Sequence, residues 1–527
     1  MDRMEPVDLN AAADAYAAAP LLNCLLREAA DPAGPDGPAG SAVHRLRGSG
    51  RLLRVRGGRR PERPELRTAN GWHPLSHTEL VKLVSDELGR FTGVTNDELP
   101  VEITDSRDAL VALLAARAAA EPPADPYMLS EQSLVTGHPH HPAPKARGGA
   151  PAGSWLPYAP EAHARFPLVF LGVREDQGAE EGGRAVAEAI DSLAGLLDGP
   201  RPPAGYRLLP AHPWQLDLVA DRPAVREAFA DRRLLRLGES RRPVWPTASI
   251  RTVHVPGAAP VPGAAPAADL FVKFSLDVRI TNDVRRLWRH DLLALRRADA
   301  AVEAGFAALR ATGSDAAWLA DRGYRTAAFA FEELAVLVRD GLRAHTLPGA
   351  TPLLAAALAE GAPGSPRAGA ADPLAWWRAY LLQVVPPVLE LFARHGVVLE
   401  AHLQNTLVAV DAAGMPVQAL FRDAEGVKLL PDVSRADAWE RLVYCLVVNN
   451  LSGIAGALAD RYPDISPLLW PAVREELLRY AARRGLPEIA ALLAAPALPA
   501  KTNLLLRWTR ADGADARYRP LPNPLRG

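Results

Sequence analysis

Leu, Val, Ala and Trp recur at helical spacing over Asp108 to Ala120, Ala185 to Leu197, Asp283 to Ala308 and Ala436 to Leu458, which predicts amphipathic helices there. Strand patterns are fewer. From Phe271 to Ile280, Val272, Phe274, Leu276, Val278 and Ile280 alternate with Lys273, Ser275, Asp277 and Arg279, predicting a strand with a buried back and Lys273 on its polar side. Thr281 and Asn282 then read as helix N-caps, which puts Arg285 in a first turn where the helix dipole disfavours a cation. Such a local conflict points to a functional reason for Arg285. After a helix ending at Gly396, Val397 to Val408 and Val417 to Asp423 flank a turn at Asp411 to Pro416 and predict a hairpin. With the backbone extended, Glu400, His402 and Gln404 share one side, and pairing brings Asp423 near His402 and Asn405. No internal repeat or regular βαβ alternation is visible, so the pattern predicts a mixed α+β chain.

Three Pro/Gly/Ala breaks interrupt the periodic segments: Asp31 to Ser41, Pro256 to Ala268 and Gly361 to Pro373. The first and third read as linkers or variable loops, and the second as a long hairpin loop between Ile250 to Val255 and Leu270 to Ile280. At 527 residues, 48% hydrophobic, the chain is long enough for two or three domains. Sixty basic against 61 acidic residues leave no positive field for nucleic acid, so no nucleic-acid partner is expected. Nine arginines between Arg45 and Arg67, partly alternating with apolar residues, read as the solvated face of a half-exposed strand in preference to an anion site. Cys24 and Cys445 alone build no disulfide framework or Cys-rich zinc module. The acidic start lacks a signal-peptide pattern, and no run approaches the roughly 20 apolar residues of a spanning helix. The expectation is a soluble cytoplasmic protein without a membrane partner.

Candidate chemistry gathers in six motifs. In Gly137-His-Pro-His-His-Pro-Ala-Pro-Lys-Ala-Arg147, prolines stiffen a loop from which His138, His140, His141, Lys145 and Arg147 project. The imidazoles invite a zinc reading, but no HExxH accompanies them, and the adjacent cations favour an anion-binding loop. Ala211-His-Pro-Trp-Gln215 suits a packed corner. Ser249, Arg251 and Thr252 offer two hydroxyls and a cation to phosphate oxygens. Lys273 and Arg285 add cations, as do Lys501 and Arg507, six residues apart. Glu400, Asn405 and Asp423 supply the oxygen donors that Mg²⁺ prefers. The cations exceed what one phosphate needs, which points to two anionic ligands, a nucleotide and a polycarboxylate. GxxxxGK[ST] and a strand-linked GxGxxG are absent, and a strand Lys followed much later by a metal Asp is kinase-like in outline only.

GHPxHPxxK (Gly137 to Lys145), HPWQ (His212 to Gln215), SxRT (Ser249 to Thr252), KxSL…ITNxxR (Lys273 to Arg285), ExHxQN (Glu400 to Asn405) and FRD (Phe421 to Asp423) closely resemble the IucA/IucC family of siderophore synthetases that act independently of nonribosomal peptide synthetases. The motifs run in the family's order over roughly residues 130 to 510. The resemblance implies thumb (1–133), fingers (134–330) and palm (331–527), the palm distantly kinase-like, with ATP between fingers and palm. It further implies that Ser249, Arg251, Thr252 and Lys273 hold the ATP phosphates, with Arg285 beside them. His402, Gln404, Asn405 and Asp423 would line the nucleotide side, with Mg²⁺ on Glu400, Asn405 and Asp423. His138, His141, Lys145, Arg285, Lys501 and Arg507 would face the carboxylic acid, and His138, Arg285 and His402 would serve catalysis. The implied reaction is ATP-dependent adenylation of citrate or a related polycarboxylic acid, then attack by an amine, hydroxylamine or alcohol. AMP and pyrophosphate leave, and a homodimer is expected. A phosphotransferase using Lys273, Asn405 and Asp423 and releasing ADP is the alternative.

Overall fold

The computed structural model describes residues 8–34, 40–257, 268–362, 365, 369–511 and 518–526. Parts of all three predicted breaks, at 35–39, 258–267, 363–364 and 366–368, lie outside the described residues.

The N-terminal part is an antiparallel five-stranded meander in the order Ala30–Pro32, Ser41–Leu46, Leu52–Arg56, Glu62–Thr68, Gly71–Pro74. Helices Leu9–Ala29, His77–Thr92 and Glu98–Ala119 accompany it, and Leu21, Leu25, Leu53, Val55, Leu80 and Val84 form its core. The arginine stretch is strand, as expected, but several of its charges are paired: Arg54 with Glu65 at 2.7 Å and Arg51 with Glu87 at 2.8 Å. Arg59 reaches the far part of the chain, donating to the Ala359 carbonyl at 2.9 Å and meeting Glu360 at 3.3 Å.

The middle part holds a six-stranded antiparallel sheet ordered Trp245–Pro246, Thr252–Val255, Leu270–Phe274, Val336–Asp340, Asp321–Ala327, Gly178–Glu181. The strands on either side of the 256–268 break pair antiparallel, as the expected hairpin requires, while 258–267 lie outside the described residues. The sheet runs past residue 330, since Val336–Asp340 is one of its inner strands. Leu270–Phe274 is central and buried on both faces, so Lys273 stands inside the molecule and is 2% exposed. The predicted strand stops at Phe274. A short hairpin, Arg279–Ile280 with Asp283–Val284, replaces the expected helix start; Thr281 lies at its tip with φ 61, and the helix begins only at Arg289.

The C-terminal part has a four-stranded sheet, Ala317–Leu319, Pro416–Arg422, Thr406–Val410, Thr351–Leu354, under helices that share one large core. Thr406–Val410 and Pro416–Arg422 form the predicted hairpin, with Thr406 opposite Phe421. Its upstream limb is shorter than expected: Val397–Val398 pairs elsewhere, with Lys428–Leu429, and 399–405 is loop. Arg435–Arg461 is, among the described residues, the one helix long and apolar enough to cross a membrane, and two thirds of its most apolar window (67%) is packed inside the protein. A wide π-helical turn, Tyr444–Leu451, interrupts it, as such turns do at functional sites.

Candidate active site

The first half of the site is a turn and three strands. Thr247 closes the turn with its N–H and hydroxyl on the Thr252 carbonyl, at 2.8 and 2.9 Å, and Ile250 takes a left-handed conformation (φ 52) inside it. The turn presents Ser249 and delivers Arg251 and Thr252 to the strand beside Lys273, where Thr252 is the register partner of Lys273. Glu131 pins the turn by accepting from the Ala248 N–H at 3.0 Å. Lys273 Nζ bridges two carboxylates, Asp423 at 2.8 Å and Glu425 at 2.6 Å. Arg251 donates to Glu425 at 3.2 Å and to the Arg285 and Arg286 carbonyls, and Arg339 joins Asp321 at 2.6 Å to Asp423 at 3.0 Å.

Asp423 sits at φ 82, ψ 90, a backbone strain of order 1–3 kcal/mol that is held by the Ala424 N–H on Asp321 at 2.9 Å. Burial alone would raise the Asp423 carboxyl, but Lys273 and Arg339 overcome it and hold the group well below the usual carboxylate range. Glu425 behaves the same way, kept low by Lys273 and Arg251 against burial and against Asp423. Both are therefore anions at neutral pH. Asn405, whose backbone carbonyl accepts from the Arg422 N–H at 3.2 Å and whose side-chain amide makes no hydrogen bond among the described residues, adds to these two carboxylates an oxygen of the kind a hard divalent cation prefers.

The second half, termed the chamber, is where the Gly137-to-His141 loop, the 281–285 hairpin, the 399–405 loop, the π-helical turn and the C-terminal strand Ala497–Lys501 converge: His138 has His402 and Lys501 as neighbours, His141 has Arg285, and Lys501 has Asp283, Glu400 and Cys445. Burial, then His402, Arg27 and Lys501, push His138 down to about 4, so it is neutral at pH 7. His402 is also lowered by burial, against Glu400 and Asp423. His141 is lowered by burial and by neighbours that include His138, Arg507 and Arg285. Arg285 bonds only the Ile280 carbonyl and the Thr281 hydroxyl, at 2.7 and 2.5 Å, and Lys501 makes no ion pair among the described residues. His140 Nδ1 is buried without a hydrogen-bond partner among the described residues, and the His141 ring faces the Asn282 side chain. Half-buried cations outside ion pairs, beside an imidazole nitrogen without a partner, suit an anionic, oxygen-rich ligand.

The structure thus brings together Ser249, Arg251, Thr252, Lys273, Asn405 and Asp423 on one side, and His138, His141, Arg285, His402 and Lys501 on the other. Four expectations change. Glu400 does not line up with His402 and Gln404 on a strand: in the 399–405 loop it pairs with Arg441 and approaches His402 and Lys501, while Asp423 is held by Lys273. Gln404 is exposed, and its carbonyl ties down Arg422 at 2.9 Å. Lys145 is buried on Glu161 at 2.5 Å and on the Leu134 carbonyl, with Arg147 on the same carboxylate at 3.1 Å, so neither cation is free for a ligand. Arg507 is spent on Glu102. Sequence reading also misses Glu425, Arg339, Arg441 and Arg27. Glu425 follows Asp423 by two residues, and Arg339 interrupts the apolar strand Val336–Asp340. His212 caps the helix Pro213–Val219 by accepting the Trp214 N–H at 3.2 Å, which makes HPWQ the packed corner expected.

Comparison with known proteins agrees. Residues 126–360 match the IucA / IucC family, and residues 374–516 match a family described as ferric iron reductase FhuF-like transporter. The chain is 30% identical over 454 residues to L-2,3-diaminopropanoate–citrate ligase of Staphylococcus aureus, covering 76% of this chain and 75% of the relative. It is 29% identical over 456 residues to the rhizobactin siderophore biosynthesis protein RhbC of Rhizobium meliloti, with the same coverage. In structure it resembles ATP-bound aerobactin synthetase IucA of Klebsiella pneumoniae, with a TM-score of 0.79 at 22% identity over 97% of this chain and 99% of the other. The petrobactin biosynthesis protein AsbB of Bacillus anthracis superposes with a TM-score of 0.78 at 17% identity, covering 98% and 96%. The chain belongs to the IucA/IucC family of siderophore synthetases, and its mixed α/β fold is that of the aerobactin synthetases.

Proposed function

We propose that this protein is an ATP-dependent ligase that adenylates a carboxylate of citrate or a related polycarboxylic acid and joins it to an amine. The observation that carries this reading is the adjacency of the Lys273–Asp423–Glu425–Arg251 cluster to half-buried cations, Arg285, Lys501 and Arg27, that make no ion pair among the described residues. Relatives named as citrate ligases of 2,3-diaminopropanoate and of spermidine support citrate as the acid and an amine as the nucleophile. In this reading the three parts act as thumb, fingers and a distantly kinase-like palm, with ATP between the second and third.

Ser249, Arg251, Thr252 and Lys273 bind the triphosphate, and Asp423, Glu425 and Asn405 would hold Mg²⁺. When bound, the ion screens the phosphate charge that opposes an incoming carboxylate. Arg285, whose carbonyl lies on Arg251, stands between the two halves and orients the reacting carboxylate toward the α-phosphorus. A carboxylate oxygen forms the new bond to that phosphorus as the bond to pyrophosphate breaks. The amine nitrogen then attacks the acyl carbon, AMP departs, and the nitrogen's proton passes to a neutral imidazole, His138 or His402. Carboxylates entering the chamber raise the proton affinity of His138, which in the empty chamber is only about 4. Fixed cations do this work without reorganisation, which is where most of the rate enhancement originates. The family resemblance predicts a homodimer, which light scattering tests.

A pyrophosphate-release assay with ATP, Mg²⁺, a panel of carboxylic acids, and diamines or hydroxylamines tests the function. Acid-dependent pyrophosphate, lost in Lys273→Ala and Arg285→Ala, is the expected result. ADP in its place would transfer the site to a phosphotransferase.

A further inference from the structure

Arg27 lies in the last turn of the N-terminal helix Leu9–Ala29, far in sequence from every motif above. Its single hydrogen bond joins Nη2 to His140 Nε2 at 2.8 Å, and among the described residues it has no ion pair. The neighbouring acid, Glu28, does not serve it. Glu28 accepts the Leu504 and Leu505 N–H groups at 3.1 and 2.8 Å, and burial raises it to about 7. Burial opposes the Arg27 charge as well, and its other electrostatic neighbours are Cys24 and Tyr444, the latter in the π-helical turn. A cation at a helix C-terminus interacts favourably with the dipole, but that role asks for exposure, not for contact with an imidazole whose other nitrogen has no partner. Arg27 and Lys501 both bear on His138, so three cations that make no ion pair among the described residues gather there: Arg285 toward the phosphate cluster, with Asp283 near it; Lys501 in the C-terminal strand, with Asp283 and Glu400 near it; and Arg27 on the N-terminal helix, whose acid neighbour Glu28 is held by backbone N–H groups.

We propose that Arg27 is a specificity residue that seats a carboxylate which does not react. The inference rests on the ligase reading and adds the N-terminal helix to substrate recognition. The reacting carboxylate belongs beside Arg285 and the phosphates; Arg27 receives a second one through its guanidinium fork, with His140 as the adjoining donor. That carboxylate comes either from the polycarboxylic acid or from an amino-acid nucleophile, and both present the same planar anion to the same fork. A lysine reproduces the charge but not the bidentate geometry.

The test measures pyrophosphate release by the full chain and by Arg27→Gln and Arg27→Lys. In one arm a tricarboxylic acid is compared with the dicarboxylic acid lacking its central carboxylate; in the other, a diamino acid is compared with its decarboxylated diamine. If the acid supplies the group, Arg27→Gln raises KM for the tricarboxylate about 10- to 100-fold and leaves KM for ATP and for the dicarboxylate in place, as loss of a charge-assisted hydrogen bond implies. If the nucleophile supplies it, the same rise falls on the diamino acid and spares the diamine. In either case Arg27→Lys recovers part of the loss, whereas a merely structural Arg27 would change kcat, ATP and all substrates together. Wild-type turnover with neither arm altered in a folded Arg27→Gln overturns the assignment alone. Should that variant fail to fold, Arg27→Lys indistinguishable from wild type in both arms does so. No turnover by the wild-type protein with any pair removes the ligase reading itself, and the assignment with it.

Discussion

Glu131 and Arg422 form a buried ion pair, at 2.6 Å, whose side chains are 0% and 5% exposed, and everything around it is hydrogen-bonded. Tyr127 donates to Glu131 at 2.7 Å, the Ala248 N–H donates to its other oxygen at 3.0 Å, and Arg422 reaches the Gln404 carbonyl at 2.9 Å. The pair thereby ties the turn bearing Ser249 and Arg251 to the loop bearing His402 and Asn405. Glu131→Ala strands a buried guanidinium and Arg422→Met strands a buried carboxylate, and each is expected to cost about 3–5 kcal/mol. Glu131→Leu with Arg422→Met, made like the single variants in a Tyr127→Phe background so that no buried hydroxyl is stranded, removes both charges. The Gln404 carbonyl can turn to water because that residue is exposed, so the double variant loses chiefly the acceptor for the Ala248 N–H, about 1–3 kcal/mol. The double variant should therefore be more stable than either single one while still losing catalytic efficiency, because the turn and the loop are no longer registered to each other. Urea midpoints and slopes measure the first effect and pyrophosphate release the second. Single variants costing less than about 1 kcal/mol, or a double variant no better than both, would refute the argument.

Two further outcomes follow from close contacts and from burial. A Cβ on Gly426 would overlap the Glu400 carboxylate, and Glu400 is already committed to Arg441, so Gly426→Ala must displace that pair from the chamber wall. Acid-dependent turnover should fall on the order of 10- to 100-fold with little change in thermal midpoint, and unchanged turnover would show that Glu400 positions nothing. His212, buried with Nε2 unpartnered, is pushed down by burial to about 3, below its unfolded value. Between pH 3 and 6.5 the unfolded chain binds the extra proton, so this contribution is complete above 6.5 and declines as pH falls. His212→Asn keeps an acceptor for the Trp214 N–H, so its melting temperature should drop less steeply than wild type from pH 7 to 4.5; parallel curves would exclude His212 as a source of acid lability.

Motif residues were legible because each sits on an element whose period or cap is local. The hairpin ending at Asp423 exists, and so does a strand through Lys273, although it stops at Phe274 and is buried on both faces; their meeting at Lys273–Asp423 is not part of the sequence reading. The failures share one physical cause. Patterns at 274–285 and 399–405 are compatible with a continuing strand, but tertiary partners, Arg441 for Glu400 and the Thr281 hydroxyl for Arg285, stabilise loops there. Lys145 and Arg147 look available in sequence because nothing local reveals Glu161, 14 to 16 residues on, as their shared counter-charge. Arg27 carried no signal at all, since a cation in a last turn is ordinary.

The anchoring of Glu28 on Leu504 and Leu505 spans 476 and 477 positions of the chain. Contacts of that separation close late, because the loop entropy must be overcome before they contribute. The cluster of Arg251, Lys273, Asp423 and Glu425, proposed to take the triphosphate, makes no hydrogen bond to the N-terminal helix among the described residues. In the ligase reading, a partly opened protein would hold nucleotide before it could recognise an acid, and detaching the first helix from the C-terminal helix Asn503–Trp508 would uncouple the two affinities. Local opening at that seam, visible as fast amide exchange in residues 9–29 and 497–508, would act as the timing element that admits the acid only to a completed fold.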